Sequence, residues 1–169
     1  MSTLTLADSN ELYRKTHEQH PEYFAGYSLM EYVFEIGQLI KTSNIKTVLD
    51  YGCGKAKAWK DHDLQRLWKL DYVSLYDPGV SQFANKPNAK YDLVICVDVM
   101  EHVPEHLVDE VLADIQKYAA KAVFFNISTR PASKRLVDGS NAHATVQESQ
   151  WWQRKINQMD VLAITKYTK

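Results

Sequence analysis

The chain has 169 residues, 45% of them hydrophobic and 24% charged, with a formal net charge of −1. That length and composition fit a single soluble domain over residues 1–169, large enough to bury a core without staples. The balanced charge excludes a general electrostatic pull toward nucleic acid, two cysteines exclude a disulfide scaffold, and no apolar run reaches membrane-spanning length, so a cytoplasmic protein is expected.

In chain order, Asp8-Ser9-Asn10-Glu11 has capping-box spacing and predicts a short helix ending before Pro21. Ser28-Leu29-Met30-Glu31 repeats the spacing, and Leu29, Val33, Ile36 and Ile40 continue one apolar face to about Thr42. Val48 to Tyr51 reads as a first strand that runs into the tight turn Gly52-Cys53-Gly54. A helix follows through Trp59 to Trp68. Tyr72 to Tyr76 is a second strand, stopped by Asp77-Pro78-Gly79. Tyr91 to Val97 is almost wholly apolar, as a strand buried on both faces of a parallel sheet must be. A helix runs from about Pro104 to Tyr118, with proline in its first turn. Ala122 to Ile127 is another buried strand. Residues 128–147 form a polar loop whose length suggests function. Trp151 to Gln158 is helical and Val161 to Tyr167 is a final strand. Strands alternating with helices predict an α/β fold, a Rossmann-like open sheet, mainly parallel, with helices on both faces.

Three strand ends carry the chemistry. The first closes in Asp50-Tyr51-Gly52-Cys53-Gly54, the second in Tyr76-Asp77, and the third in Val97-Asp98-Val99-Met100-Glu101-His102. In open α/β sheets a ligand sits beyond such carboxyl ends, and an acidic residue closing the second strand can accept both hydroxyls of a ribose. Asp77 also has the plainer reading of a turn aspartate before proline.

These segments, together with Tyr91-Asp92-Leu93-Val94-Ile95-Cys96 and Val103-Pro104, resemble class I S-adenosylmethionine-dependent methyltransferases across roughly residues 47–127. The resemblance implies S-adenosylmethionine as methyl donor and S-adenosylhomocysteine as product. It implies a cofactor site made by Asp50, Tyr51, Gly52, Cys53, Gly54, Asp77, Pro78, Asp98 and Val99. Gly52 and Gly54 would approach the methionine part, Asp50 its amino group, Asp77 the ribose, and Asp98 the transferred methyl. The chain departs from the family pattern between Pro78 and Lys90, which is too short for a further helix and strand. The usual acidic partner of the adenine is lost with that strand, and Phe83, Asn85 or Pro87 is expected to wall the adenine instead. One strand stands near the C-terminus where the family has two. A shortened version of the seven-stranded fold is the expectation.

Asp98-x-x-Glu101-His102 is similar to the metal-binding Glu-x-x-Glu-His pattern of small-RNA 2′-O-methyltransferases and of some ubiquinone-pathway O-methyltransferases, with His143 placed to join it. A divalent ion there would lower the pKa of an acceptor hydroxyl and orient its oxygen. The favoured alternative assigns no metal and makes His102, His143 and Glu101 the catalytic groups, the histidines as base or substrate contact. The plainest reading makes Glu101 and His102 caps of the turn.

Residues 1–42 are expected to form a helical cover, with Tyr13, Arg14 and His17 either over the cofactor or on a solvated face. Lys134 and Arg135 are either surface charge or contacts for an anionic acceptor. Lys55 reads as turn geometry, Cys53 and Cys96 as small buried residues, and at least one of Trp151 and Trp152 as core. His106, Asp109 and Glu110 read as a wet helix face. The expected activity is methyl transfer to oxygen or nitrogen of a small-molecule acceptor. Metal-dependent RNA 2′-O-methylation and a non-catalytic cofactor-binding partner subunit are the other readings. Open sheet edges would suit a homodimer.

Overall fold

The computed structural model describes residues 4–169. Five strands, all parallel, form one sheet in the order β2-β1-β3-β4-β5: β1 Thr47–Tyr51, β2 Tyr72–Tyr76, β3 Tyr91–Val97, β4 Ala119–Ser128 and β5 Leu162–Thr168. Chain direction across the sheet reverses between β1 and β3, and that topological switch opens a crevice at the strands' carboxyl ends. The Rossmann-like class expected from the sequence is the observed one. Among the described residues no strand lies between β2 and β3; the intervening chain makes only a 3-10 turn at Ser81–Phe83. Residues 129–169 add one strand, as expected.

Alternation along the strands builds two cores. Val48, Leu93, Ile95 and Val97 join Ile36, Ile40, Trp59 and Leu64 on one face, where α2 (Val33–Thr42), α3 (Lys57–His62) and α4 (Leu64–Leu67) pack. Leu49, Val94, Cys96, Val123 and Phe125 join Val108, Leu112, Ile115 and Trp152 on the other, beneath α5 (Val108–Tyr118) and α6 (Ser149–Ile156). Trp152 is the core member of its pair, and both cysteines are buried and free. Asp92 fixes the sheet's amino end, its Oδ2 accepting from the Lys46 and Thr47 amides while its own amide donates to Thr47 Oγ1.

Local chemistry moved several boundaries. Helix α1 spans Leu6–Gln19 and its capping box is Thr5 with Asp8, so Asp8 is the third residue of the helix and not its cap. Ser28 caps nothing: Ser28–Tyr32 is a 3-10 turn leading into α2, and the serine hydroxyl is used elsewhere. The helix expected through Trp68 is broken in two at Asp63, whose φ of +46° is left-handed. A 3-10 turn at Glu105–Leu107 precedes α5. No helix of the described residues is long and apolar enough to cross a membrane.

Candidate active site

A cavity occupies the crevice beyond β1, β2 and β3. Its floor is Asp50 to Gly54, Tyr76 to Gly79 and Val97 to Val99, and its roof is one stripe of α1: Leu6, Ser9, Asn10, Tyr13 and His17. Positions 6, 9, 10, 13 and 17 share a face at helical spacing. All nine residues expected to hold the cofactor line this cavity.

The glycine turn needs its glycines. The amides of Gly52 and Cys53 both donate to the Tyr76 carbonyl, at 2.7 and 3.1 Å, which ties the turn to the end of β2. Gly52 has φ +85°, and a Cβ there would lie 2.3 Å from Val99 Cγ2. Gly54 has φ +55°, and a Cβ would lie 2.4 Å from the Phe24 carbonyl oxygen. A side chain at either position would close the cradle.

Two carboxylates flank the turn. Asp50 is buried, accepts a 2.6 Å hydrogen bond from the Trp59 indole, and has its pKa pushed up to about 7 by burial, with Asp77 adding to the shift and the indole opposing it. Asp77 Oδ2 accepts from the Gly54 amide and Oδ1 from the Gly79 amide, both at 2.8 Å. Burial raises its pKa and those amides lower it. Each oxygen keeps a free lone pair for a ligand hydroxyl. The Tyr51 hydroxyl points away, donating to Asp114 at 2.9 Å, where Lys86 Nζ also donates at 2.8 Å.

Asp98 ends β3 in the left-handed region, φ +59°, and its Oδ2 accepts from Ser28 Oγ at 3.0 Å. His102 Nδ1 lies 2.8 Å from the Ala142 carbonyl, which also accepts from the Tyr13 hydroxyl at 2.5 Å. His143 Nδ1 lies 2.6 Å from the Arg130 carbonyl. A carbonyl only accepts, so both Nδ1 atoms carry the proton and both Nε2 atoms present bare lone pairs. The two rings meet edge-on at 4.9 Å. Burial, with smaller help from His143 and Lys134, holds the His102 pKa well below its ordinary value against the pull of Asp98. Oxygen or nitrogen atoms of Asp98, His102 and His143 lie within 4.8 Å of one another. One carboxylate and two tautomer-locked imidazoles fit a divalent ion.

Glu101 stands behind this group. It is fully buried, Oε1 accepts from the Ser128 amide at 2.6 Å, and Oε2 has no partner. Burial and then Asp98 drive its pKa well above the carboxylate range. It does not line the cavity; its carboxylate joins the turn after β3 to the end of β4.

Near Pro78 the cavity is lined by other residues than the three expected to wall the adenine. Lys86, Pro78 and Gly79 line the cavity there; Phe83, Asn85 and Pro87 do not. Phe83 packs on the first core, and Lys60 lies over its ring. Arg14 faces outward, paired with Glu11 and Glu18. Lys55 donates to the carbonyls of Pro21 and Tyr23 and holds the chain that follows α1. Lys134 lies over Tyr23 and Phe24 at 5.4 and 5.3 Å, and Arg135 donates to the Gly139 carbonyl. Ser9, Asn10, Phe24 and Ser28 also line the cavity, and the sequence had not marked them as site residues. The 6-9-10-13-17 stripe was the signal for the first two, hidden because it mixes Leu, Ser, Asn, Tyr and His.

Comparison with known proteins agrees with this geometry. Residues 16–163 match a family model described as a methyltransferase domain, Methyltransf_23. A solved DhpI–SAH complex has the same fold, with a TM-score of 0.57 at 16% identity over 94% of this chain and 89% of that one. No curated protein matches the chain. With the match spanning most of its length, the chain belongs to the methyltransferase-domain family and is a class I S-adenosylmethionine-dependent methyltransferase.

Proposed function

We propose that the enzyme methylates an oxygen or nitrogen of a small-molecule acceptor bound beside Asp98 and His102, under a cover formed by residues 1–42, of which 1–3 lie outside the described residues. The observation that carries this reading is the convergence of Asp98, His102 and His143 next to the cofactor cavity. In the cofactor site Asp77 accepts the ribose hydroxyls, Asp50 faces the amino group, and the Gly52–Gly54 turn lets backbone approach the methionine part. S-adenosylmethionine supplies an activated sulfonium methyl, so the chain's task is alignment and exclusion of water. The bare Nε2 atoms of His102 and His143 are placed to accept a proton from an acceptor hydroxyl or ammonium. Tyr13 and Ala142 hold His102 in that tautomer, and Ser28 orients Asp98.

A second reading rests on the same three side chains: a divalent ion held there supplies Lewis acidity toward an acceptor hydroxyl. Two measurements test the site. Asp77→Ala is expected to abolish calorimetric binding of S-adenosylhomocysteine, and unchanged affinity would overturn the ribose assignment. Chelation followed by readdition of divalent ions separates the readings: full turnover in chelator leaves the histidines as bases, whereas loss and recovery of turnover assigns the ion.

A further inference from the structure

We propose that His17 is a cofactor-contacting residue, closing the ribose side of the cavity from the roof, opposite Asp77. The proposal rests on the assignment of the Asp77 end to the ribose and goes beyond it by naming the second partner. His17 is 8% exposed, lines the cavity, and its Nδ1 has no hydrogen-bond partner. Its ring packs on Phe24 at 5.0 Å. Its Cδ2 and Nε2 lie 3.0 and 3.3 Å from where a Cβ on Gly79 would stand, and Asp77 Oδ1 is 3.3 Å from the same point. Imidazole, glycine and carboxylate therefore share one corner, open only because residue 79 has no side chain.

Nδ1 is sealed from solvent, so Nε2, the nitrogen at the Gly79 corner, is the one a ligand can reach, and among the described residues it has no hydrogen-bond partner; a polar atom left unpaired in a cavity wall points to a ligand group. Burial, then the nearby charge of Lys55, keeps the ring neutral, with one donor and one acceptor nitrogen. A ribose hydroxyl has the matching needs: it gives its proton to the Asp77 carboxylate and accepts from an imidazole N–H. Asp77 alone could satisfy only the first. The contact would make the nucleoside, and not the amino-acid part of the cofactor, the portion that α1 senses.

The test measures calorimetric affinity for S-adenosylhomocysteine, for 5′-methylthioadenosine, and for its 2′,3′-dideoxy analogue. His17→Phe keeps the ring and removes the nitrogens; it is expected to weaken the first two ligands equally, by about fivefold to tenfold, and to leave the dideoxy analogue unchanged. Gly79→Ala keeps the imidazole but displaces it, with the same expected pattern, and serves if His17→Phe does not fold. Wild-type affinity in the variant that folds overturns the proposal. So does an equal loss for the dideoxy analogue, which would make His17 a packing residue. Asp77→Ala distinguishes the failures: if it too binds normally, the ribose assignment has failed; if it does not, only the role of His17 has.

Discussion

With the cofactor's amino group against Asp50 as proposed, this one buried side chain would tie cofactor binding to pH. Without a cation beside it, burial keeps the carboxyl half-protonated at about pH 7. An ammonium group placed against it favours the ionised form, so binding expels the proton. The sign follows: affinity for S-adenosylhomocysteine is expected to rise as pH increases through 7 and then level off. Below 7 it should fall by up to about tenfold per pH unit, one pKa unit being about 1.4 kcal/mol. Calorimetry at pH 6.5 in buffers of different ionisation enthalpy should show about three-quarters of a proton released, as a group titrating at about 7 requires, and Asp50→Asn should abolish the release. Release unchanged in Asp50→Asn would place the amino group elsewhere. The residue types at this site were legible because Asp50, Gly52 and Gly54 stand in one short pattern and Asp77 closes the next strand. The depth of Asp50 was not, because Trp59, nine positions on, reaches its carboxylate only after α3 turns back over β1.

Among the elements, α1 is tied down by Tyr13, whose hydroxyl donates to the Ala142 carbonyl, and by Thr16, whose Oγ1 accepts from the Val137 amide, while Leu6 packs on the second core. The segment after it is sewn to the glycine turn: the amides of Lys55 and Lys57 donate to the carbonyls of Phe24 and Ala25 at 3.0 Å, and Lys55 Nζ donates to the Tyr23 carbonyl at 2.9 Å. Lys55→Met removes the ammonium and keeps the stem. It is expected to weaken S-adenosylhomocysteine binding by about threefold to tenfold, since charged hydrogen bonds contribute about 1.5–3 kcal/mol and the Lys55 head is partly solvated. The far-ultraviolet spectrum and the melting of the sheet should hold. Unchanged affinity would mean that the cover does not depend on this tie. Such elements explain where sequence reading stops. The apolar face of α2 fixes a helix whatever its cap, so Ile36 and Ile40 were readable while Ser28 was misassigned. For α1, Thr5-x-x-Asp8 and Asp8-x-x-Glu11 both have capping-box spacing, and three-dimensional packing chose the first. The loop after β4 is ordered by Asn141, whose side chain exchanges two hydrogen bonds with the Ala132 backbone and accepts from the His143 amide. No periodicity announces such a device.

At the scale of the molecule, the parallel sheet and its switch point followed from alternating strands and helices, but a missing strand leaves no residues to read. Here the chain beyond β2 is a loop, and Lys86 from that loop, pinned on Asp114 of α5, closes the side that another strand would have built. The cavity therefore has a rigid floor, made by strand ends with buried cores on both faces, and a roof contributed by a peripheral helix. Local opening is cheapest where few apolar contacts hold an element, so α1 should open far more often than the sheet. A ligand that touches floor and roof together links their stabilities, by about 2.7 kcal/mol at one hundred times its dissociation constant. Hydrogen exchange can separate the two parts. On saturation with S-adenosylhomocysteine, amides of α1 and of residues 20–26 should slow by up to about one hundredfold. Those of β1, β3 and β4, buried in both cores, are expected to exchange by global unfolding and to slow only as far as overall stability rises. Homocysteine alone, which lacks the nucleoside, should leave α1 fast. If α1 exchanges equally with and without S-adenosylhomocysteine, the helix is a static wall and not a cover closed by the cofactor.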